Sequence, residues 1–206
     1  MDDAGNVIAK QPGSERTVEG FRKTLAEKVQ RFLDLRAKAQ AGDPAAQIDF
    51  ALLEGEMGSI TFEEVQKRLE GKKLSDAQKA QLSDVELGAM MAAVGEATDQ
   101  ESAKAAMKKL ADAYAAGRMP NSKEGKFEFL NVLVNYGLTA GDPDVAQKAL
   151  DALKPLLRES MGSNNKRLED QIRAVEDKIA NLRTAKEGGT GEDDEGVEEG
   201  CGEGAE

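Results

Sequence analysis

Apolar residues recur every three or four positions along most of this chain, in segments that begin at a capping residue and end at glycine. This spacing places apolar side chains on one face of an α-helix, whereas a strand would need strict alternation. The first such segment is predicted to begin after Thr17 and to end near Gly42. Its apolar face is Val18, Phe21, Leu25, Val29 and Phe32. About eight helices are predicted in this way, joined by short loops that favour antiparallel neighbours.

Local signals mark where these helices begin. Asp43-Pro44 and Asp142-Pro143 each combine an N-cap residue with proline at the first helical position. Capping boxes, in which Ser or Thr is followed three residues later by Glu or Gln, are predicted at Thr61–Glu64, Ser75–Gln78 and Thr98–Glu101. The sequence therefore predicts an all-α fold of antiparallel helical pairs, forming either an α-α superhelix or an irregular bundle.

The sequence AGDPAAQ (41–47) returns as AGDPDVAQ (140–147), 99 residues later. That separation is about three times the ~33–34-residue period of tetratricopeptide-type helical repeats. The alternative is that Gly-Asp-Pro is simply a good joint between two helices, and both interpretations stay open. Pro155 lies inside the seventh predicted helix and is expected to kink or split it.

The net charge of −11 belongs mainly to the C-terminus. Residues 187–206 hold nine acidic residues and no Lys or Arg, which leaves −2 for residues 1–186. Because nucleic-acid affinity comes largely from neutralised phosphates, a near-neutral body is not expected to bind nucleic acid. Almost nothing in 187–206 is apolar, so this segment is predicted to be a disordered acidic tail.

No apolar run reaches the ~18–20 residues that a membrane-spanning helix needs. The N-terminus lacks the basic and apolar regions of a signal peptide, so the chain as written is expected to be cytoplasmic by default. These two observations predict no membrane span and no export.

The chain contains no histidine and a single cysteine, Cys201. Histidine-assisted nucleophiles, His-ligated metals and the usual general base near neutral pH are therefore excluded. A lone cysteine cannot form an internal disulfide or a Cys-x-x-Cys pair, and the acidic run Glu192–Glu199 lacks the spacing of an EF-hand loop. We therefore predict no enzyme activity and no catalytic, cofactor-binding or metal-binding residue.

Two residue pairs invite a functional interpretation but have a simpler structural one. Glu63-Glu64 suits the first turn of a helix, where acids complement the helix dipole. Met90-Met91 is expected in the core or in a groove rather than at a cofactor.

The last predicted helix carries apolar residues at alternating steps of four and three. They are Leu168, Ile172, Val175, Ile179 and Leu182. Over only about two heptads, this spacing fits either packing as the final helix of the body or weak self-association.

Residues 1–16 do not fit the helical pattern. Asp3–Asn6 predicts a turn, Val7–Lys10 a short strand, and Pro12-Gly13 a second break. The chain is thus divided into a strand and turn segment (1–16), a helical domain (17–186) and the acidic tail (187–206).

On these features, Met1–Leu25 resembles the last part of a thioredoxin-like domain. In that family a strand ends in an Asp-x-x-Gly turn, a second strand returns, and a glycine leads into the final helix. Here the glycine would be Gly13, and the helix face would be Phe21 and Leu25. The resemblance implies that residues 1–16 are a β-hairpin-like remnant of such a domain. The helices would then be a tetratricopeptide-like extension of the kind that follows it in some bacterial proteins.

In the thioredoxin-like family, a Cys-x-x-Cys motif and a cis-proline carry out the redox chemistry. Both would lie upstream of Met1, so no redox activity transfers to this chain. The expected function is a non-catalytic helical module for protein interaction or domain support, with an unidentified protein partner. The alternative is the auxiliary C-terminal half of a thiol–disulfide oxidoreductase whose Cys-x-x-Cys domain precedes Met1.

Overall fold

In the computed structural model, residues 17–162 and 165–188 are described, and they form eight α-helices. The helices are α1 (Val18–Gln40), α2 (Pro44–Glu56), α3 (Phe62–Leu69), α4 (Asp76–Glu96), α5 (Gln100–Ala115), α6 (Lys123–Ala140), α7 (Pro143–Met161) and α8 (Lys166–Gly188). The prediction of an all-α fold is confirmed. The predicted strand and turns of residues 1–16 lie outside the described residues, as does the predicted tail beyond Gly188.

The helices belong to two compact units, the first ending at Leu133 and the second beginning at Val134, inside α6. In the first unit α1 packs on α2 and α4 packs on α5, and in the second α7 packs on α8. Only residues 41–43 connect α1 to α2, so this pair must reverse direction and is antiparallel.

The core of the first unit is built where α2, α3 and α4 meet. Its buried side chains are Ile48, Ala51, Leu52, Val65, Leu69 and Val85. Full burial of one such aliphatic side chain stabilises the fold by roughly 1.5–3 kcal/mol. Gly55 allows the close packing here, because a Cβ at this position would lie 2.6 Å from a Val65 methyl and 2.8 Å from a Val85 methyl.

The predicted capping boxes have three different outcomes. At Ser75 the box is complete: the Ser75 amide donates to the Gln78 side chain at 3.0 Å, and the Gln78 amide donates to the Ser75 hydroxyl at 3.3 Å. At Thr61 only half of it forms. The Glu64 amide donates to the Thr61 hydroxyl at 3.3 Å, but the Glu64 carboxylate accepts from Arg68 instead.

The prediction of an N-cap at Thr98 is wrong by one residue. Asp99 caps α5, and its carboxylate accepts from the Ser102 amide at 2.7 Å. A carboxylate competes well with a hydroxyl for this position, because it is a charged acceptor at the positive end of the helix dipole. The same hydrogen bond is the main cause that lowers the pKa of Asp99.

Pro155 does not split α7, which continues from Pro143 to Met161. The Pro155 side chain is exposed, whereas Leu150 and Leu153 on the opposite face are buried. Proline removes one backbone donor, and on the solvent side the released carbonyl can be hydrated. Packing of the inner face therefore keeps the helix continuous.

Three ion pairs join α7 to α8 along their length. They are Arg158 with Glu169 (2.9 Å), Lys154 with Glu176 (2.5 Å) and Arg183 with Asp144 (3.2 Å). Residue numbers fall along α7 as they rise along α8, so this pair is antiparallel too. We refer to these three pairs as the α7–α8 ladder.

Candidate interaction surface

Helix α1 is much longer than the helix that packs against it. It has 23 residues against 13 in α2, which at 1.5 Å per residue is about 34 Å against about 20 Å. Helix α1 ends and α2 begins at the joint formed by residues 41–43, so α2 covers only the C-terminal part of α1. There Phe32 is buried and packs against Phe50, with ring centroids 5.3 Å apart.

Apolar side chains along α1 remain partly exposed, both in the part that extends past α2 and beside the buried Phe32. Val18 is 71% exposed and Leu33 is 46% exposed, while Leu25 and Val29 are half-buried. With 3.6 residues per turn, these four residues fall within about 80° of one another around the helix. We call them the α1 stripe. Its residue types and spacing are those of a helix face that packs against another layer.

A groove of about 790 Å³ follows the polar side of α1. The charged residues that line it are Glu27, Arg31, Asp34, Lys38 and Asp49. Because acidic and basic side chains alternate there, their charges largely offset one another. The α1 stripe, on another face of the same helix, is therefore the better candidate surface.

A smaller pocket of about 320 Å³ lies where α1, α2 and α3 meet. Its lining residues are Ala39, Gln40, Gln47, Phe50, Arg68 and Lys72. We call it the α1–α3 pocket. It combines an aromatic side chain, Phe50, with two cationic ones, Arg68 and Lys72. The sequence analysis did not predict that these residues lie together.

The five residues predicted for self-association are mostly used inside the chain. Leu168, Ile172 and Ile179 are buried, and Val175 and Leu182 are half-buried. Only the last two present surface that a second copy could reach without moving α8. Packing as a helix of the body thus accounts for most of this pattern.

The other residues that the sequence analysis considered for a function are two residue pairs, one cysteine and one acidic run. Glu63 and Glu64 lie in the first turn of α3, and Glu64 pairs with Arg68 at 3.1 Å. Met90 and Met91 are half-buried on α4. Cys201 and the acidic run Glu192–Glu199 lie outside the described residues.

Ion pairing shifts the pKa values of two members of the α7–α8 ladder, Lys154 and Glu169, and of the neighbouring Asp151. Hydrogen bonds to Glu176 and then Asp151 raise the pKa of Lys154. The bond from Lys154 is the main cause that lowers the pKa of Asp151, and the bond from Arg158 does the same for Glu169. The Lys154 side chain is 18% exposed, but its carboxylate partners and the Arg158–Glu169 pair are well exposed, so each pair contributes little on its own.

Within residues 17–162 and 165–188, no three His, Cys, Asp or Glu side chains are placed to hold a metal ion. No helix in that part of the chain is long and apolar enough to cross a membrane. The absence of enzyme activity stays a prediction. Comparisons with protein-family models, with curated proteins and with solved structures find no match.

Sequence reasoning placed Val18, Leu25 and Val29 on one helix face but did not predict that they would lack cover. The sequence did contain a signal for this exposure. The helix predicted before Gly42 is much longer than the helix predicted after it, so the second cannot cover the whole of the first. Leu33 was missed because it lies at the edge of that face.

Proposed function

We propose that this chain is a non-catalytic helical module for protein interaction and domain support, and that it supports a thioredoxin-like domain joined to the N-terminal side of α1. The α1 stripe is the observation that carries the proposal. Its four apolar side chains, spread over about four turns of one helix, gain free energy when a second layer covers them, at roughly 25 cal/mol per Å² of apolar surface.

The position of the stripe agrees with the resemblance in Met1–Leu25. In a thioredoxin-like domain the final helix packs on the sheet, and the first turns of α1 correspond to that helix. Val18 and Leu25 would then be covered by the sheet of the preceding domain. The helices from α2 onward would form a tetratricopeptide-like extension that holds the end of this helix in place.

The first test is the gene sequence upstream of the codon for Met1. The proposal expects an open reading frame with a Cys-x-x-Cys motif within roughly a hundred codons, the length of one domain. In-frame stop codons immediately upstream would contradict the thioredoxin-like part of the proposal.

The second test uses the extended protein and measures amide hydrogen exchange in α1. We expect residues 18–29 to exchange more slowly in the extended protein than in the 206-residue chain, because the stripe becomes buried. The double substitution Val18→Ser with Leu25→Ser should remove this protection. Equal exchange rates in both proteins would contradict it.

An activity assay distinguishes the support module from the alternative, in which the chain is the auxiliary half of a thiol–disulfide oxidoreductase. If the extended protein reduces the disulfides of insulin, and replacement of both motif cysteines by serine abolishes this, the intact protein is an oxidoreductase. If the extended protein shows slowed exchange in α1 but no reduction of insulin, the support module is favoured.

A further inference from the structure

We infer that the α1–α3 pocket binds an acidic peptide segment that carries one large apolar side chain. This inference deepens the proposed interaction function by naming the chemistry of a partner. It does not depend on the α1 stripe or on the thioredoxin-like attachment. At about 320 Å³ the pocket has room for a single bulky side chain and the backbone beside it.

The floor of the pocket is apolar, and its aromatic ring packs against a second ring. Phe50 and Ala39 are half-buried, so part of each faces the opening. The Phe50 ring is held by Phe32 at a centroid distance of 5.3 Å and an interplanar angle of 59°. A fixed aromatic ring gives a ligand contact area at little cost in conformational entropy.

The rim of the pocket contains a cation that is available to an anion. The Lys72 ammonium donates to the Gln47 amide oxygen at 3.1 Å, and the Gln47 amide nitrogen donates to the Ala39 carbonyl at 3.4 Å. Within the described part of the chain, Lys72 contacts this neutral group and no carboxylate. A ligand carboxylate could replace the amide as its acceptor and form the stronger, charge-assisted bond.

Arg68, the second cation of the pocket, differs in this respect. It already binds Glu54 at 2.7 Å and Glu64 at 3.1 Å. Its charge is therefore largely balanced. We expect Arg68 to line the pocket without forming an ion pair with the ligand. Lys72 is the residue that we expect to select for negative charge.

Residues 67–73 around Lys72 hold four Lys or Arg and one acid, although the chain as a whole carries −11. Glu54 and Glu64, which pair with Arg68, leave about one net positive charge beside the pocket. A nucleic-acid strand would need several neutralised phosphates, and the carboxylates of Glu54 and Glu64 beside the pocket oppose that. A short peptide that combines a carboxylate with an apolar side chain matches both the rim and the floor.

The test is a titration of the ¹⁵N-labelled 206-residue chain, followed by NMR. The probe is the end-blocked pentapeptide Asp-Glu-Leu-Glu-Asp. We expect shifts concentrated at the lining residues, above all in the side-chain amide of Gln47. The substitution Lys72→Gln should raise the Kd by about threefold to tenfold. The matched control Lys73→Gln removes the same charge from an exposed neighbour and should change the Kd by less than about twofold.

Four results would overturn the inference. One is the absence of shifts in the pocket at millimolar peptide. The second is an equal loss of affinity in Lys72→Gln and Lys73→Gln, and the third is equal binding when alanine replaces the leucine of the peptide, because either means that charge alone attracts the probe. The fourth is tighter binding of a five-nucleotide single strand than of the peptide. Unchanged dispersion of the variant spectra would show that the substitutions leave the fold intact. The titration does not depend on the gene sequence upstream of Met1, so this inference and the proposed thioredoxin-like attachment can fail independently.

Discussion

The two Gly-Asp-Pro joints of this protein have the same cap but different packing. In both, the glycine has a positive φ, +88° at Gly42 and +68° at Gly141. In both, the aspartate carboxylate accepts from the amides two and three residues ahead, at 2.9 and 3.1 Å for Asp43 and at 3.2 and 3.1 Å for Asp142. Proline then occupies the first helical position.

One turn away from the cap the two joints differ. Five residues before the aspartate stands Lys38 at the first joint and Gly137 at the second, and four residues after it stand Gln47 and Ala146. Gln47 reaches across to a carbonyl of α1 at 3.4 Å. Ala146 instead lies directly against Gly137, so that a Cβ on Gly137 would be 2.5 Å from the Ala146 backbone nitrogen.

The comparison shows that the short sequence determines how the helices are capped, and that residues outside it determine how closely they approach. The buried faces agree with this. In α2 the first buried residue is the third after the aspartate, Ala46, whereas in α7 Pro143 and Ala146 are buried, the first and the fourth. Local capping chemistry accounts for the conformation of both Gly-Asp-Pro joints, and a tetratricopeptide-like origin of their recurrence stays a prediction.

Gly137→Ala should have the largest effect. The new methyl group would meet backbone atoms of Ala146 and Asp142, which cannot move without shifting α7, so we expect the free energy of unfolding to fall by about 3 kcal/mol. Without this close approach, alanine would stabilise the helix by about 1 kcal/mol. Urea unfolding followed by circular dichroism measures the difference. The control is Lys38→Ala at the matching position of the first joint, expected to stay within about 0.5 kcal/mol of the parent.

Removal of each cap should have an intermediate effect that is similar at both joints. Asp43→Ala and Asp142→Ala are each expected to lower the free energy of unfolding by about 1 kcal/mol, because two amides lose their acceptor. The corresponding Asp→Asn variants keep an acceptor oxygen and should lose less. If the two alanine variants differed by more than about 1 kcal/mol, the view that the caps are equivalent would be wrong.

The α7–α8 ladder should make a small, pH-dependent contribution. The pKa values of Glu169 and Asp151 are lowered, so their stabilisation is present above their unfolded-state pKa values and is lost as the pH falls through the folded-state values. The pKa of Lys154 is raised, so its contribution is present below the unfolded-state value and is lost as the pH rises through the folded-state value.

This contribution is checked by unfolding at neutral pH and at about pH 3, below the ordinary carboxyl pKa values. Glu169→Gln should lose less stability on acidification than the parent does. Asp177→Asn removes an exposed carboxyl group from the same helix and is expected to behave like the parent. An identical acid response in Glu169→Gln and the parent would mean that the ladder does not contribute.

Much of the fold could be predicted because it depends on local chemistry. The joints at Asp43 and Asp142 and the capping box at Ser75 are each specified within a few residues of sequence. The prediction of an N-cap at Thr98 failed because two local options compete there, and tertiary packing overrides a local rule where α7 continues through Pro155. Neither competition can be decided from the residues alone.

The candidate surfaces were harder to predict because they depend on distant residues. The α1–α3 pocket joins Phe50 to Lys72, which only the packing of α3 on α2 brings together. The α1 stripe could be predicted as a helix face, but its exposure depends on how far α2 extends along α1. Burial of Leu168, Ile172 and Ile179 likewise follows from the pairing of α8 with α7.

The central claim, that the α1 stripe is a surface rather than part of the core, is tested most directly by urea unfolding of the double variant Val18→Ser with Leu33→Ser. We predict that its free energy of unfolding lies within about 1 kcal/mol of the parent, because Val18 is 71% and Leu33 46% exposed. Phe32→Ala, at a buried position of the same helix, should lose about 4 kcal/mol. A loss in the double variant as large as that of Phe32→Ala would contradict the account.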